Sequence, residues 1–187
     1  MRTERRPRRR CRAAPGSCHR SCHGSGRIDR VTVAISAARL PDDAEALARV
    51  YVSSAAHHLA LDPDRYRVPP VDAVVERYRE PRPAGERILV ARLDGEVVGS
   101  ASVARLPRPG PASMLADVAT ASLDVAVLPE HRGQGIGRRL LEAAVTTAAG
   151  LGAVRLQLDA HHANEGALRL YRDLGFQPMG VLLSRTV

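Results

Sequence analysis

A strand pattern that runs through a glycine-rich turn into a helix constrains this chain more than any other feature. Residues 121–127 form a β-rich run, and residues 136–149 carry apolar side chains along one helical face. The turn between them contains Gly133, Gly135 and Gly137. The first amides of a helix have no internal partners, so they attract anions, and glycine lets a phosphate approach the backbone closely. The segment therefore predicts a pyrophosphate site.

Other phosphate-binding loops fit this turn poorly. A Walker loop needs a lysine before Ser or Thr, and every basic residue of this chain is an arginine. A dinucleotide fingerprint counted from Gly133 would need its third glycine where Arg138 stands. What remains is an Arg-x-x-Gly-x-Gly pattern. The glycines alone are equally compatible with a turn that binds nothing.

Hydrophobic periodicity predicts a mixed α/β domain. The predicted strands cover residues 31–35, 87–93, 96–103, 121–127, 154–158 and short pieces of 176–187. The predicted helices cover residues 44–51, 71–78 and 136–149, and a stretch that Asn164 caps. Between the first two helices we expect a polar loop that contains His57, His58, Asp62, Asp64, Arg65 and Tyr66. The order implies a parallel crossover between strands 121–127 and 154–158.

The net charge of +8 belongs to the first 30 residues. They hold ten arginines against Glu4 and Asp29, which leaves 18 basic and 18 acidic residues in 31–187. We expect residues 1–30 to be a disordered Arg-rich tail, or an over-extended gene start, and residues 31–187 to be the functional domain. The neutral domain, and the lack of aromatic residues among the arginines, argue against a nucleic-acid partner.

The three cysteines also lie in that tail. Cys18-His19 and Cys22-His23 invite a zinc interpretation, but a structural site needs a second, distant pair of ligands, so we expect no metal. Residues 31–187 contain no cysteine, which suits a reducing cytoplasm. No apolar run reaches the ~20 residues that span a membrane, and no apolar segment of a signal peptide follows the arginines.

Two motifs together resemble the GNAT N-acetyltransferase superfamily. Arg132-x-x-Gly135-x-Gly137 is similar to its acyl-CoA pyrophosphate loop. Its second signature is similar to the stretch Asn164-x-x-Ala167-x-x-x-Tyr171-x-x-x-Gly175-Phe176. The resemblance extends over 31–187 and is strongest in 123–176. It implies a mostly antiparallel mixed sheet with one splayed parallel strand pair, flanked by helices, and acetyl-CoA as the acyl donor.

The resemblance also implies which residues bind the donor. The pantetheine arm would pair with the strand at 125–127, and the pyrophosphate would lie on the turn at 133–138. Asn164 would add a contact, although a helix cap explains this residue equally well. The donor-binding residues implied in this way are Val125, Ala126, Val127, Arg132, Gly133, Gln134, Gly135, Ile136, Gly137, Arg138 and Asn164.

The implied reaction is direct acetyl transfer to a primary amine of a small molecule or peptide. Tyr171 matches the position that serves the departing thiolate, but it is also a core position of its helix. The glutamate that many relatives use as a base corresponds to Ala121 here, so Asp124 and Asp159 are the substitutes.

Several alternatives stay open. His161 and His162 follow Asp159, and ordered water is another route for the proton. The missing glutamate favours a second interpretation, a non-catalytic acyl-CoA binding or sensor module. The resemblance is also compatible with a homodimer.

Overall fold

The computed structural model describes residues 33–185, which form a sheet with helices on both faces. The strands are β1 (Ala34–Ala37), β2 (Glu86–Leu93), β3 (Glu96–Arg105), β4 (Thr120–Val127) and β5 (Arg155–Gln157). They lie in the order β1-β2-β3-β4-β5. All neighbours are antiparallel except β4 and β5, which are parallel. The predicted mixed sheet with one parallel pair is confirmed.

The helices divide between the two faces of the sheet. They are α1 (Ala44–Leu61), α2 (Val71–Arg79), α3 (Ile136–Gly150) and α4 (Glu165–Asp173), and a single 3-10 turn covers Pro129–His131. Buried residues of α1 and α2 pack with Ile88 and Val90 in one cluster. Those of α3 pack with Val103 and Leu123 in another, which α4 joins through Leu170 and Tyr171.

The hairpin between β2 and β3 confirms the predicted Asp-Gly turn. Asp94 and Gly95 have φ angles of 50° and 88°, as both central residues of a type I′ turn require. The turn matches the natural twist of the two strands. It sets the pairing of Leu93 with Glu96 and of Arg92 with Val97, after which an irregularity between Ala91 and Arg92 shifts the register by one residue.

The predicted polar loop after the first helix was partly wrong. α1 extends to Leu61, so His57 and His58 lie in its last two turns rather than in a loop. Residues 55–61 are mostly alanine and leucine, which favour the helix. Helix formation stops where Pro63 disfavours helical backbone at Asp62.

The predicted strand pieces after α4 are also wrong over residues 176–185, which contain no strand. Pro178 has no N–H to donate to a strand ladder, and neither side of this segment pairs with β5 in the described part of the chain. β1 begins at Ala34 rather than at Val31. The predicted tail and its cysteines lie outside the described residues.

Candidate active site

β4 and β5 separate part of the way along the sheet. Their last paired residues are Ser122 and Gln157, whereas β4 continues to Val127. The Leu128 amide donates to the Val98 carbonyl at 2.9 Å, so alternation along β4 turns the backbone groups of Val125 away from β3. Within residues 33–185 no strand covers that edge beyond Ser122. An extended ligand can hydrogen-bond to such an edge as an added strand would.

The glycine turn leads from the open end of β4 into α3. Gly133 and Gly135 have φ angles of 74° and 78°, in the left-handed region that favours glycine. The first helical bond runs from the Arg139 amide to the Gly135 carbonyl at 3.2 Å. The amides of Ile136, Gly137 and Arg138 precede that bond, so α3 itself offers them no acceptor. Amides at the start of a helix are a kind of group that can bind an anion.

Side chains of the turn mainly fix its shape. Arg132 Nε donates to the Val127 carbonyl at 3.0 Å, and Gln134 Nε2 donates to the Glu130 carbonyl at 3.4 Å. Ile136 is buried, so its side chain packs in the core and does not face a ligand. The predicted binding role of these residues is therefore best met by backbone amides.

Two predicted residues of this region also have structural partners. A Cβ at Gly137 would lie 3.3 Å from Leu170 Cδ2, so this glycine lets α3 and α4 approach closely. Arg138 lies 3.7 Å from Asp173 in an exposed ion pair, which leaves its guanidinium accessible to an anion.

Asn164 caps α4, as one of its two predicted roles requires. Its Oδ1 accepts a hydrogen bond from the Ala167 amide at 3.3 Å. The cap places its side chain at the start of the helix that faces the gap. Contact with a donor molecule stays a prediction.

Tyr171 reaches the gap from the α3/α4 face. Its ring packs edge-on against Phe176, with 5.9 Å between centroids, and is partly buried against the core. Burial raises the pKa of the phenol, and the charge of Asp124 raises it further. At neutral pH the hydroxyl therefore keeps its proton and can donate it.

Asp124 reaches the gap from the opposite face. It alternates with Leu123 and Val125, so it shares the α1/α2 face with Ala126. Burial raises the pKa of Asp124, the charge of Arg77 opposes that rise, and Asp159 and Glu86 add to it. Asp124 is exposed to solvent, yet neighbouring protein still weakens its hydration, which is the largest cause of the raised pKa.

Two of the three predicted catalytic residues have a pKa that is raised in part by the charge of another of the three. The charge of Asp124 raises the pKa of Tyr171, and the charge of Asp159 raises the pKa of Asp124. The three residues belong to α4, β4 and the segment after β5. Ala121, the position of the usual glutamate, is fully buried in β4. Alanine cannot accept a proton, so a base would have to come from another residue or from water.

Sequence reasoning missed the role of Arg77. Its guanidinium carbon lies 4.4 Å from the ring centre of Tyr51 and 5.1 Å from that of Tyr78, so two rings from α1 and α2 flank it. Its positive charge lowers the pKa of Asp124 and so opposes the effect of burial. The sequence predicted the two separate helices that carry Tyr51 and Tyr78. It did not predict that these helices pack against each other.

A parallel strand pair that opens next to a glycine turn is the arrangement that the resemblance to acyl-CoA-dependent N-acyltransferases implies. The model of the Acetyltransferase (GNAT) family matches residues 46–176. The chain belongs to that family. No helix among residues 33–185 combines the length and the apolar character needed to cross a membrane.

Similar proteins include acetyltransferases with different acceptors in their names. The chain is 41% identical over 91 residues to N-alpha-acetyltransferase RimI of Mycobacterium tuberculosis, covering 49% of this chain and 52% of the relative. It is 41% identical over 58 residues to streptothricin acetyltransferase of Streptomyces lavendulae, covering 31% of each. The chain thus spans about half or less of these relatives.

A solved structure shares the fold over most of the chain. The BH1408 protein of Bacillus halodurans, solved as a tetramutant, superposes with a TM-score of 0.74 at 20% identity. The match covers 82% of this chain and 99% of that one.

Proposed function

We propose that this protein transfers an acetyl group from acetyl-CoA directly to the primary amine of a small molecule or peptide, in the cytoplasm. The observation that carries the proposal is the separation of β4 from β5 after Ser122, immediately before the glycine turn. A strand edge that opens directly before a glycine turn suits a ligand with an extended arm and a pyrophosphate.

In this proposal the donor lies along the exposed backbone of β4. The N–H groups of residues 133–138 bind its pyrophosphate, and Arg138 adds positive charge. The backbone of Val125 pairs with the pantetheine arm. A backbone amide of β4 at 125–127 polarises the thioester carbonyl, which stabilises the oxyanion that forms during attack.

The chemistry then needs two proton transfers. The amine nitrogen attacks the thioester carbon, a C–N bond forms, and the C–S bond breaks. Asp124 or Asp159 accepts the proton that the amine loses, directly or through water. Tyr171 donates a proton to the departing thiolate from the other face of the sheet. The pKa of its phenol, raised first by burial, supports this assignment.

Calorimetry with acetyl-CoA tests the donor site in the full chain. Gly135→Glu and Gly135→Gln have side chains of nearly equal shape and suffer the same strain at a φ of 78°, so their difference isolates charge. We expect wild type to bind, Gly135→Gln to bind more weakly and Gly135→Glu to show no binding. Equal binding by the two variants would show that the pyrophosphate does not bind at this turn.

Release of free thiol with an amine panel separates catalysis from the alternative, an acyl-CoA binding or sensor module. The panel should include peptides with free N termini and streptothricin, since the relatives named above differ in this respect. Thiol release that depends on an amine establishes the transferase. Tight acetyl-CoA binding without transfer to any member of a broad panel would favour the sensor.

A further inference from the structure

Asp124 and Asp159 hold corresponding positions on the two sides of the gap between β4 and β5. The last paired residues are Ser122 of β4 and Gln157 of β5, and each aspartate comes two residues later. In a parallel pair, residues two positions beyond a register pair are again neighbours on the same face. The strands part at this point, so the two carboxylates continue the row on opposite sides of the gap.

The residues just beyond β5 keep the alternation of the strand. Leu156 and Leu158 both pack against the cluster that contains α3. Alternation therefore turns Gln157 and Asp159 towards the other face of the sheet, which α1 and α2 cover. Asp124 faces the same side of the sheet. The charge of Asp159 contributes to the raised pKa of Asp124, which agrees with two carboxylates on one face.

An anchor beyond the strand limits where Asp159 can move. Backbone pairing with β4 ends at Gln157, so it does not hold Asp159, and like charges tend to separate. His161 follows two residues later, so its Cα atom lies within about 7 Å of that of Asp159. The His161 side chain is only 7% exposed, and its Nε2 lies 3.5 Å from Oδ2 of Asp62, which directly follows α1.

Further contacts fix the backbone and the ring of His161. The Ala163 amide donates to Nδ1 at 3.3 Å, so Nε2 carries the proton of the neutral imidazole. The Asn164 amide donates to the His161 carbonyl at 2.9 Å. The ring centres of His162 and Tyr66 lie 4.4 Å and 6.2 Å from that of His161. The imidazole is therefore held by its own segment and by the residues that follow α1.

We propose that His161 is a positioning residue for deprotonation of the amine, and that its anchor on Asp62 holds Asp159 across the gap from Asp124. The proposal rests on the transferase function proposed above. Two carboxylates held in this way disfavour each other's ionised form, so either takes up a proton more readily than it would alone. The ring nitrogens of His161 face Asp62 and the Ala163 amide, which distinguishes this role from that of a base.

The pKa of the Asp124 carboxyl, followed by carbon-detected NMR of the full chain without acetyl-CoA, tests the positioning directly. The titratable and charged groups that face Asp124 are Arg77 of α2, Glu86 of β2, Tyr171 of α4 and Asp159. We expect His161→Ala to lower the pKa of Asp124, because Asp159 is then free to move away.

The direction of this change separates positioning from a direct effect of charge. An imidazole is positively charged in acid, so its loss alone would raise the pKa of a nearby carboxyl. A rise, or no change, in a folded His161→Ala protein would overturn the proposal. His161→Gln, whose side-chain amide can still donate to Asp62, should keep the wild-type value.

A double-mutant cycle shows whether His161 acts through Asp159. Asp159→Asn should by itself lower the pKa of Asp124, since it removes a like charge. In that background, His161→Ala should cause no further fall. A fall of the same size with and without the Asp159 carboxylate would contradict the proposed route.

Asp62→Ala removes the anchor from the other side. It should lower the pKa of Asp124 as His161→Ala does. Asp64→Ala is the matched control, because it removes the same charge from an exposed position in the same segment, and it should leave the pKa unchanged. Equal pKa values in the two variants would count against the contact between Asp62 and His161.

Kinetics then connect the anchor to the reaction. With an amine that wild type acetylates, His161→Ala should reduce kcat/KM for the amine several-fold at unchanged acetyl-CoA affinity, and His161→Gln should restore it. A wild-type kcat/KM in His161→Ala would overturn the role in the reaction. If wild type binds no acetyl-CoA or acetylates no amine, the transferase function fails, and the NMR titration still decides whether His161 holds Asp159 in place.

Discussion

Gly99 of β3 lies so close to Ala126 of β4 that a Cβ at position 99 would be 2.9 Å from the Ala126 carbonyl oxygen. The same atom would lie 3.2 Å from Leu140 Cδ1 and 3.3 Å from Val127 Cγ2. Even an alanine would therefore push β4 away from its neighbour. The displaced residues carry the backbone edge proposed to bind the donor.

Gly99→Ala should accordingly lower the free energy of unfolding by about 1–3 kcal/mol, the usual cost of overpacking. It should also weaken acetyl-CoA binding, because Val127 leads into the glycine turn. Thermal denaturation and calorimetry measure the two effects. Gly110→Ala, where an added Cβ meets no atom within 4 Å, is the control and should change neither. Wild-type stability in Gly99→Ala would contradict the close approach.

Tyr171→Phe should lower kcat while acetyl-CoA affinity and stability stay close to wild type. The substitution keeps the ring that packs against Phe176 and removes only the hydroxyl. Loss of a proton donor of this kind costs about 10²-fold or more in rate. Steady-state kinetics and calorimetry on one preparation provide both readouts. An unchanged kcat would show that Tyr171 contributes packing and no proton transfer.

Asp124→Asn should make the protein more stable and less active. Burial raises the pKa of Asp124 above its ordinary value of 3.8, so the ionised form is less favourable in the folded protein than in the unfolded chain. The penalty is present above the folded pKa and disappears below pH 3.8. The variant should therefore melt at a higher temperature than wild type at pH 7, and the difference should shrink as the pH falls.

If Asp124 takes the proton of the amine, Asp124→Asn should also reduce kcat/KM by about 10²-fold or more. In wild type the acid limb of the kcat/KM profile should then lie above pH 3.8. Asp159→Asn is the companion variant, since the two carboxylates are alternatives for the same role. A full-rate Asp124→Asn enzyme would assign the proton to Asp159 or to water.

The ion pair between Asp43 and Arg92 should be a major source of stability. Arg92 Nη2 lies 2.6 Å from Asp43 Oδ2, and the Arg39 amide donates to the same oxygen at 2.6 Å. Burial alone would raise the pKa of Asp43, but the hydrogen bonds from Arg92 and from the Arg39 amide outweigh burial, so the pKa is lowered. Asp43→Asn leaves Arg92 largely buried without its counter-charge.

We expect Asp43→Asn to cost about 3 kcal/mol at pH 7, the lower end for breaking a buried pair. Because the folded pKa is depressed, this stabilisation is present above pH 3.8 and is lost as the pH falls through the folded pKa. Urea unfolding at pH 7 and at pH 3 checks both points, with the exposed Asp42→Asn as control. A cost that is the same at both pH values would show that charge is not its source.

Local sequence was sufficient where one short segment decides the geometry. Asp94-Gly95 specifies its turn because few other residues accept positive φ at both positions. Gly133 and Gly135 specify the anion turn for the same reason. Local preference failed at residues 176–185, since a strand needs a neighbour with which to pair. At His57 and His58 the prediction of a loop overlooked the helix preference of the surrounding alanines and leucines, which carries α1 to Leu61.

The sequence by itself determined that a strand, a glycine turn and a helix occur in that order, because each depends on backbone preferences and periodicity within a few residues. Only the tertiary structure decided that β4 parts from β5 after Ser122, that the charge of Asp124 raises the pKa of Tyr171, and that Tyr66 contacts His161. Those relationships join residues far apart in the chain. They depend on how helices pack across the sheet, which no local spacing encodes.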